Sequence, residues 1–381
     1  MPSFYSDPEK PIVGSFFKEQ ALAVASTGVK VGLVYYEPRS LGKFSINKIK
    51  ENYFQVSSSN ENGLSVVRLH GWNPYLQSSM GGLVWSFISE LLVKRYISIH
   101  GSPDLIHAHN AIWAGYVAKR TNKCLGIPYV ITEHSGGFLS GKISAFQKSF
   151  AKDVYSKASE VITVSATLAA SLETLLIGRS HTTVYNCVDT EYFTLPPLPR
   201  EQRSFSFLAV AHLTENKGID VLIKAFALKF SNRPDVRLTI GGDGPKKQDL
   251  ISLVTSLGIK DKVLFLGALT RDNVREAMWN SNALVVSSFH ETFGIVLIEA
   301  MATGIPVIAT RCGGPNNIVT KETGILVEPG DVLDLAKALE KMRNGRIYSN
   351  EVLRNYVEHT YANPLFADLL KGIYSDCIAV K

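Results

Sequence analysis

His290-Glu291-Thr292-Phe293-Gly294-Ile295-Val296-Leu297-Ile298-Glu299-Ala300-Met301-Ala302 directly follows the apolar run Ala283–Ser288. A short apolar run, a polar break ending in glycine and a longer apolar run read as strand, loop and helix. From Gly294 onward the residues sit at a helix N-terminus, where unpaired backbone N–H groups and the positive dipole end favour an anion such as a diphosphate. Glu291 precedes this turn and Glu299 lies about two turns into the helix. One carboxylate therefore reaches a ligand at the helix mouth, and the other reaches along its side. Carboxylates accept well from the paired hydroxyls of a sugar or a ribose. Spacing alone would leave both as ordinary surface charges. Glu299 is different because Ile298, Ala300 and Met301 surround it, and charge is seldom buried without a partner.

The same alternation extends in both directions. Short β-branched runs occur at Val29–Tyr36, Leu64–His70, Asp104–His109, Tyr129–His134, Val161–Ser165 and Thr183–Val188, with helical stretches such as Phe16–Ser26 and Ile143–Lys157 between them. A second series follows at Phe207–Leu213, Val236–Gly241, Val263–Gly267, Ala283–Ser288 and Pro306–Thr310. Apolar strands alternating with helices predict parallel sheets covered on both faces, and right-handed crossovers make these doubly wound α/β sheets. Between the two series, Leu195-Pro196-Pro197-Leu198-Pro199-Arg200-Glu201-Gln202-Arg203 has no periodicity and suits a linker. The expected organisation is a domain over 1–195, a linker over 196–203, a second domain over 204–362 and a terminal helix over 363–381.

At 381 residues the chain exceeds what one core usually supports, and 45% hydrophobic with 19% charged residues excludes a disordered chain. The net charge of +6 is spread out, which argues against a nucleic-acid partner. Cys124, Cys187, Cys312 and Cys377 form none of the common zinc or redox spacings, and the thiols suit a reducing compartment. No leader is legible, and the longest apolar stretch, Leu83–Ile99, is broken by Glu90, Lys94 and Arg95. The expected location is cytoplasmic. That stretch, with Lys142, Lys148, Lys152 and Lys157, also suits peripheral contact with an anionic membrane; a solvated lysine face over a core helix is the plain alternative.

Two further loops carry candidates. Val210-Ala211-His212-Leu213-Thr214-Glu215-Asn216-Lys217-Gly218 follows the first strand of the second series, where open α/β sheets place ligands. Lys217 there offers a cation to phosphate and His212 a donor or proton carrier, against the alternative of a solvated loop. Gly241-Gly242-Asp243-Gly244-Pro245 ends the next strand, and its glycines permit close backbone approach or merely a tight turn. Gly242, with Gly267 at the end of the following strand, is a candidate for contact with a nucleotide.

In these segments the chain resembles the retaining, nucleotide-sugar-dependent glycosyltransferases of GT-B fold, family 4. Glu291 and Glu299 fall on that family's E-x7-E pair, inside E-x-F-G-x-x-x-x-E-A-M-A-x-G-x-P-V-I-A-T, with Gly304, Pro306 and Thr310 at later positions. Lys217-Gly218 falls on its E-K-G segment, with Asn216 inserted after Glu215, and Gly324 to Asp331 matches a further stretch. In the first half, Pro103 to His109 and Asn186 to Phe193 match two more signatures. The resemblance implies two Rossmann-like domains facing a central cleft and transfer of a hexosyl unit, with UDP the expected base. The acceptor would be a glycan, a lipid-linked glycan or a small molecule, in cell-surface polysaccharide or glycolipid synthesis. It implies that Glu299 holds the ribose and Glu291 the donor sugar. Lys217 and His212 would stabilise the leaving diphosphate, while backbone amides from Phe293 through Gly294 and Ile295 to Val296 bind sugar and phosphate oxygens. Gly14 would approach the phosphate, His109 and His134 would line the acceptor side, and no metal and no cofactor beyond the nucleotide-sugar co-substrate is implied, since cations and a helix N-terminus neutralise the charge.

The sequence departs from that pattern in three places. Arginine is usual where His212 stands, and Asn-Gly where Asn186-Cys187 stands. The chain also opens at Pro2-Ser3-Phe4-Tyr5, which resembles the segment just after the family's first β-strand; a truncated start and a weakened first domain are therefore expected. These departures leave room for a nucleotide-sugar-binding relative without catalysis. A dinucleotide-dependent oxidoreductase is disfavoured, since no strand leads into G-x-G-x-x-G with an acidic residue about 20 positions on.

Overall fold

The computed structural model describes residues 1–2, 5, 14–39, 54–75, 79–198, 204–345 and 348–379. Ser3, Phe4 and the linker positions 199–203 lie outside these. Met1–Val164, Leu168–Tyr185 and Phe366–Lys381 form one compact unit; Ser165–Thr167 and Asn186–Leu365 form a second.

The first unit begins with helix α1 (Ser15–Ser26), then strands β1 (Gly32–Arg39), β2 (Gln55–Glu61) and β3 (Leu64–Trp72). Helix α2 (Ser79–His100) leads into β4 (Ile106–His109) and β5 (Tyr129–Glu133). Helix α3 (Ala145–Tyr155), β6 (Glu160–Thr163) and β7 (Thr182–Thr183) follow. Ser144 starts α3 by a capping box, its hydroxyl accepting from Gln147 N while Gln147 caps the Ser144 N–H. β4-β5-β6-β7 is a parallel sheet, and β5 is buried at every position between its neighbours.

The other sheet, ordered β1-β3-β2, departs from the all-parallel expectation, because β2 pairs antiparallel with β3. Asn62 (φ 55°) and Gly63 (φ 91°) make the tight turn between them, both left-handed, as a two-residue hairpin loop requires. β2 reads Gln55-Val56-Ser57-Ser58-Ser59-Asn60-Glu61 and is largely exposed, so it carries no apolar run. The Asn-Gly pair was its sequence signal. β1 and β4 each end their sheet, and a cavity of about 420 Å³ touches Gly32 and Leu33 of one and Ile106 and His107 of the other. Beside it the Met1 nitrogen donates to His107 O (2.6 Å) and Met1 O accepts from His109 N (3.0 Å).

The second unit holds β8 (Phe205–Val210), helix α4 (Ile219–Phe230), β9 (Val236–Gly241), β10 (Val263–Gly267) and β11 (Ala283–Val286). Helix α5 (Ile295–Ala302), β12 (Val307–Thr310) and β13 (Gly324–Val327) complete its sheet. The order is β10-β9-β8-β11-β12-β13, with every pair parallel. Phe207, Leu222, Phe226, Leu238, Ile240 and Val285 fill the space between sheet and helices at no more than 1% exposure. Burying each contributes about 1.5–3 kcal/mol, which fixes the strand ends that carry the loops. The winding reverses between β8 and β11, and open α/β sheets place their ligands at the carboxyl ends of the strands flanking such a switch point.

The chain ends in α6 (Asn363–Ala379), whose residues from Phe366 on pack in the first unit. Tyr374 Oη meets His107 Nδ1 at 2.6 Å, and Lys371 Nζ donates to Thr27 O (3.1 Å).

Candidate functional site

At the switch point, the loop after β8 and the loop after β11 are stitched together. Gly218 has a φ of 58°, and a Cβ there would lie 2.2 Å from Ser287 O, so only glycine lets the chain pass. Ser287 Oγ donates to Lys217 O (2.9 Å), Phe289 N donates to Asn216 O (2.8 Å), and Asn216 Nδ2 donates to His290 O (3.0 Å). These bonds bring Lys217 Nζ to 2.6 Å from Glu291 Oε2, across 74 residues of sequence. The pair is half-buried, with side chains 27% and 19% exposed.

Glu291 is held from its other side too. Its N–H donates to Cys312 O (3.0 Å) and its carbonyl accepts from Gly314 N (2.7 Å). Gly294 then caps α5 at the helix N-terminus. Phe293 is 1% exposed and its ring meets Tyr361 edge-on, centroids 5.8 Å apart. Its side chain is therefore committed to the core, which leaves only its backbone for any ligand contact. Ile295, Val296 and Glu299 are half-buried on α5, with Glu299 between the buried Ile298 and Ala300.

The loops after β9 and β10 join the same cluster. Gly242 N donates to Gly267 O (2.7 Å), and a Cβ on Gly242 would lie 1.8 Å from Ala211 O. His212 is exposed, its Nδ1 donating to Asp243 O at 2.7 Å. Lys247 Nζ pairs with Asp243 Oδ2 (2.7 Å). His212, Lys217, Gly242, Gly267, Glu291, Phe293, Gly294, Ile295, Val296 and Glu299 thus all belong to the carboxyl-end loops and first helix turns of one sheet. The chemistry available is a cation and a helix N-terminus for an anion, with two carboxylates for hydroxyl groups.

Gly14, His109 and His134 belong to the first unit. Gly14 caps α1, whose Phe16 and Phe17 rings lie 5.4 and 5.3 Å from His134. His109 Nδ1 and His134 Nε2 are 3.1 Å apart, and the His107 ring stacks on His109 at 4.4 Å. Burial pushes His134 down to about 3 and, helped by the Met1 amino group and the neighbouring imidazoles, holds His107 and His109 well below the ordinary histidine value. All three are neutral at neutral pH, so they offer hydrogen bonds rather than charge.

Two residues around them escaped the sequence reading. His107 bridges Tyr374 Oη (2.6 Å) and Thr132 Oγ1 (2.7 Å). Glu133, fully buried, accepts from Ala111 N (2.9 Å), His134 N (3.1 Å), Ser135 N (2.9 Å) and Tyr155 Oη (2.7 Å). Burial raises its pKa, and those four donors oppose the rise. The only sequence signal was a carboxylate closing a largely apolar strand.

Comparisons with known proteins bear on both units. The model of Glycosyltransferase Family 4 matches residues 13–192, and that of Glycosyl transferases group 1 matches residues 196–360. The chain is 27% identical over 317 residues to the phosphatidylinositol N-acetylglucosaminyltransferase gpi3 subunit of Schizosaccharomyces pombe; the match covers 82% of this chain and 66% of that relative. Sucrose-phosphate synthase from Thermosynechococcus elongatus shares the fold at a TM-score of 0.81 and 21% identity, covering 97% of this chain and 94% of that one. The Anabaena HepE protein in complex with UDP and glucose does so at 0.71 and 21%, covering 94% and 95%. The two family matches meet at the boundary between the two series of strands, and the chain belongs to the glycosyltransferases of family 4, with the GT-B fold.

Proposed function

We propose that this protein is a retaining glycosyltransferase that moves a hexosyl unit from a UDP-sugar to a hydroxyl group of a glycan, lipid-linked or small-molecule acceptor. The observation that carries this reading is the contact of Lys217 with Glu291 just ahead of the N-terminus of α5, at the switch point of the second unit. Lys217 and the α5 amides meet the diphosphate, so charge neutralisation needs no metal. His212, tethered to Asp243 O, adds a donor there, and Glu299 holds the ribose hydroxyls. The acceptor oxygen attacks the anomeric carbon on the face from which the diphosphate departs. The bond from that carbon to the phosphate oxygen breaks, and the acceptor proton passes to the departing oxygen. Glu291 accepts from hydroxyls of the transferred sugar, and His109 and His134 serve the acceptor side as neutral hydrogen-bonding groups.

The test is thermal stability with UDP, GDP, ADP and NAD at matched concentrations. A ligand present at ~100 times its dissociation constant stabilises the fold by about 2.7 kcal/mol. UDP is expected to give the largest shift, and Glu299→Ala is expected to abolish it. A shift with NAD alone, or one unchanged in Glu299→Ala, refutes the assignment.

The acceptor side carries a second proposal, peripheral contact with an anionic membrane at its cytoplasmic face. It is supported by α2, where Met80, Leu83, Phe87 and Leu91 follow one another at helical spacing with 46–64% exposure, ahead of Lys94 and Arg95. An exposed apolar stripe ending in cations suits an interfacial helix. Lys148 and Lys152 on α3 are exposed as well. No described helix is long and apolar enough to cross a membrane. Co-sedimentation with vesicles containing phosphatidylserine should exceed that with neutral vesicles, and Phe87→Ser with Leu91→Ser should remove the difference.

A further inference from the structure

Resting on the donor-site reading above, we propose that the Glu291 carboxylate is a built-in stand-in for the donor's phosphate, which must displace it from Lys217 on binding. The backbone on both sides is fixed: Lys217 O accepts from Ser287 Oγ, and Glu291 is clamped through its N–H by Cys312 O and through its carbonyl by Gly314 N. Only the two side chains are left to move. They remain 27% and 19% exposed, so they exchange partners without opening the core.

The carboxylate also sits where an anion belongs. It is 2.6 Å from the Lys217 ammonium, and its Cγ lies 3.6 Å from the place a Cβ on Gly294 would take, against the cap of α5. A phosphate drawn to that ammonium competes for the position Glu291 holds. Breaking the pair therefore subtracts from phosphate affinity. The same event releases the carboxylate, which becomes available to the sugar hydroxyls only once the diphosphate is seated. Glu291 would then be inert toward sugars that arrive without a nucleotide.

This arrangement predicts a sign that a plain sugar contact does not. Glu291→Gln keeps the shape and removes the competing charge. Titrated with UDP, which has no hexose, and with inorganic pyrophosphate, the variant is expected to bind each about fivefold tighter than the native protein, the scale of one half-exposed ion pair. Transfer from UDP-sugar falls in the same variant. In a Lys217→Met background the gain from Glu291→Gln is expected to vanish, because the two residues form one coupled unit. Glu291→Gln binding UDP and pyrophosphate no better than the native protein overturns the proposal, and so does a gain that survives Lys217→Met. If the native protein binds no nucleoside diphosphate, the donor-site reading itself falls and the stand-in role falls with it. A melting curve for each variant confirms that the titrated protein is folded.

Discussion

Lys217→Met is expected to lower turnover by roughly 10²–10³-fold, the usual cost of removing one pre-placed group that meets developing charge. On the proposed reading, the negative charge that builds on the departing diphosphate would face the Lys217 ammonium and the end of α5, and methionine keeps the length while deleting the cation. Stability should change little. The pair with Glu291 is half-exposed, and such pairs contribute about 0–1 kcal/mol. Lys217→Arg should recover part of the rate, since it restores charge but not the compact ammonium. The measurement is release of nucleoside diphosphate from the sugar donor, alongside a melting curve. Near-native turnover in Lys217→Met would remove this lysine from the chemistry.

The second large effect is expected at Gly314, which no ligand need touch. Its φ of −50° and ψ of −41° are ordinary for alanine, so the backbone itself tolerates the change. A Cβ there, however, would lie 2.2 Å from Phe293 Cα and 2.4 Å from Phe293 O. Both are backbone atoms and neither can rotate away. Gly314→Ala must push the Glu291–Gly294 segment out of place and stretch the bond from Gly314 N to Glu291 O. Overpacking of this kind costs about 1–3 kcal/mol, and the stabilisation by UDP should disappear with it. Gly372→Ala in α6 is the control: a Cβ there meets nothing within 4 Å, and helix propensity should leave it neutral or slightly stabilising. A Gly314→Ala protein that still responds to UDP would show that the loop adapts.

The second unit was largely legible because its strands are buried on both faces and so read as continuous apolar runs. Ala283–Val286 and Val236–Gly241 stand close to where those runs predicted them. The loops after them were legible for the same reason, as the only places the runs stop. The first unit was read less well where its strands are not apolar. β2 is an exposed edge of serines, and only Asn62-Gly63 announced it. The expected strand Thr183–Val188 shrinks to Thr182–Thr183, and its remaining residues hold their place by other bonds, such as Val188 N to Tyr361 O. Partners remote in sequence escaped altogether. Nothing local links His107 to Tyr374, Glu133 to Tyr155, or Gly314 to Phe293, since each contact exists only after packing.

The stitching of the two switch-point loops has a consequence for folding order. β8 and β11 are neighbours in the sheet, yet β9 and β10 with their helices lie between them in the chain. The Lys217–Glu291 contact spans 74 residues, so it closes a long loop and forms only once the interior of the sheet has assembled. No early intermediate containing β8 and α4 alone can present it. On the proposed reading, ligand recognition at this place is therefore a late event in folding. A bound nucleotide stabilises the cooperative unit as a whole, and its protection against unfolding or proteolysis should reach Phe226 and Leu238 in the core as fully as the loops it touches.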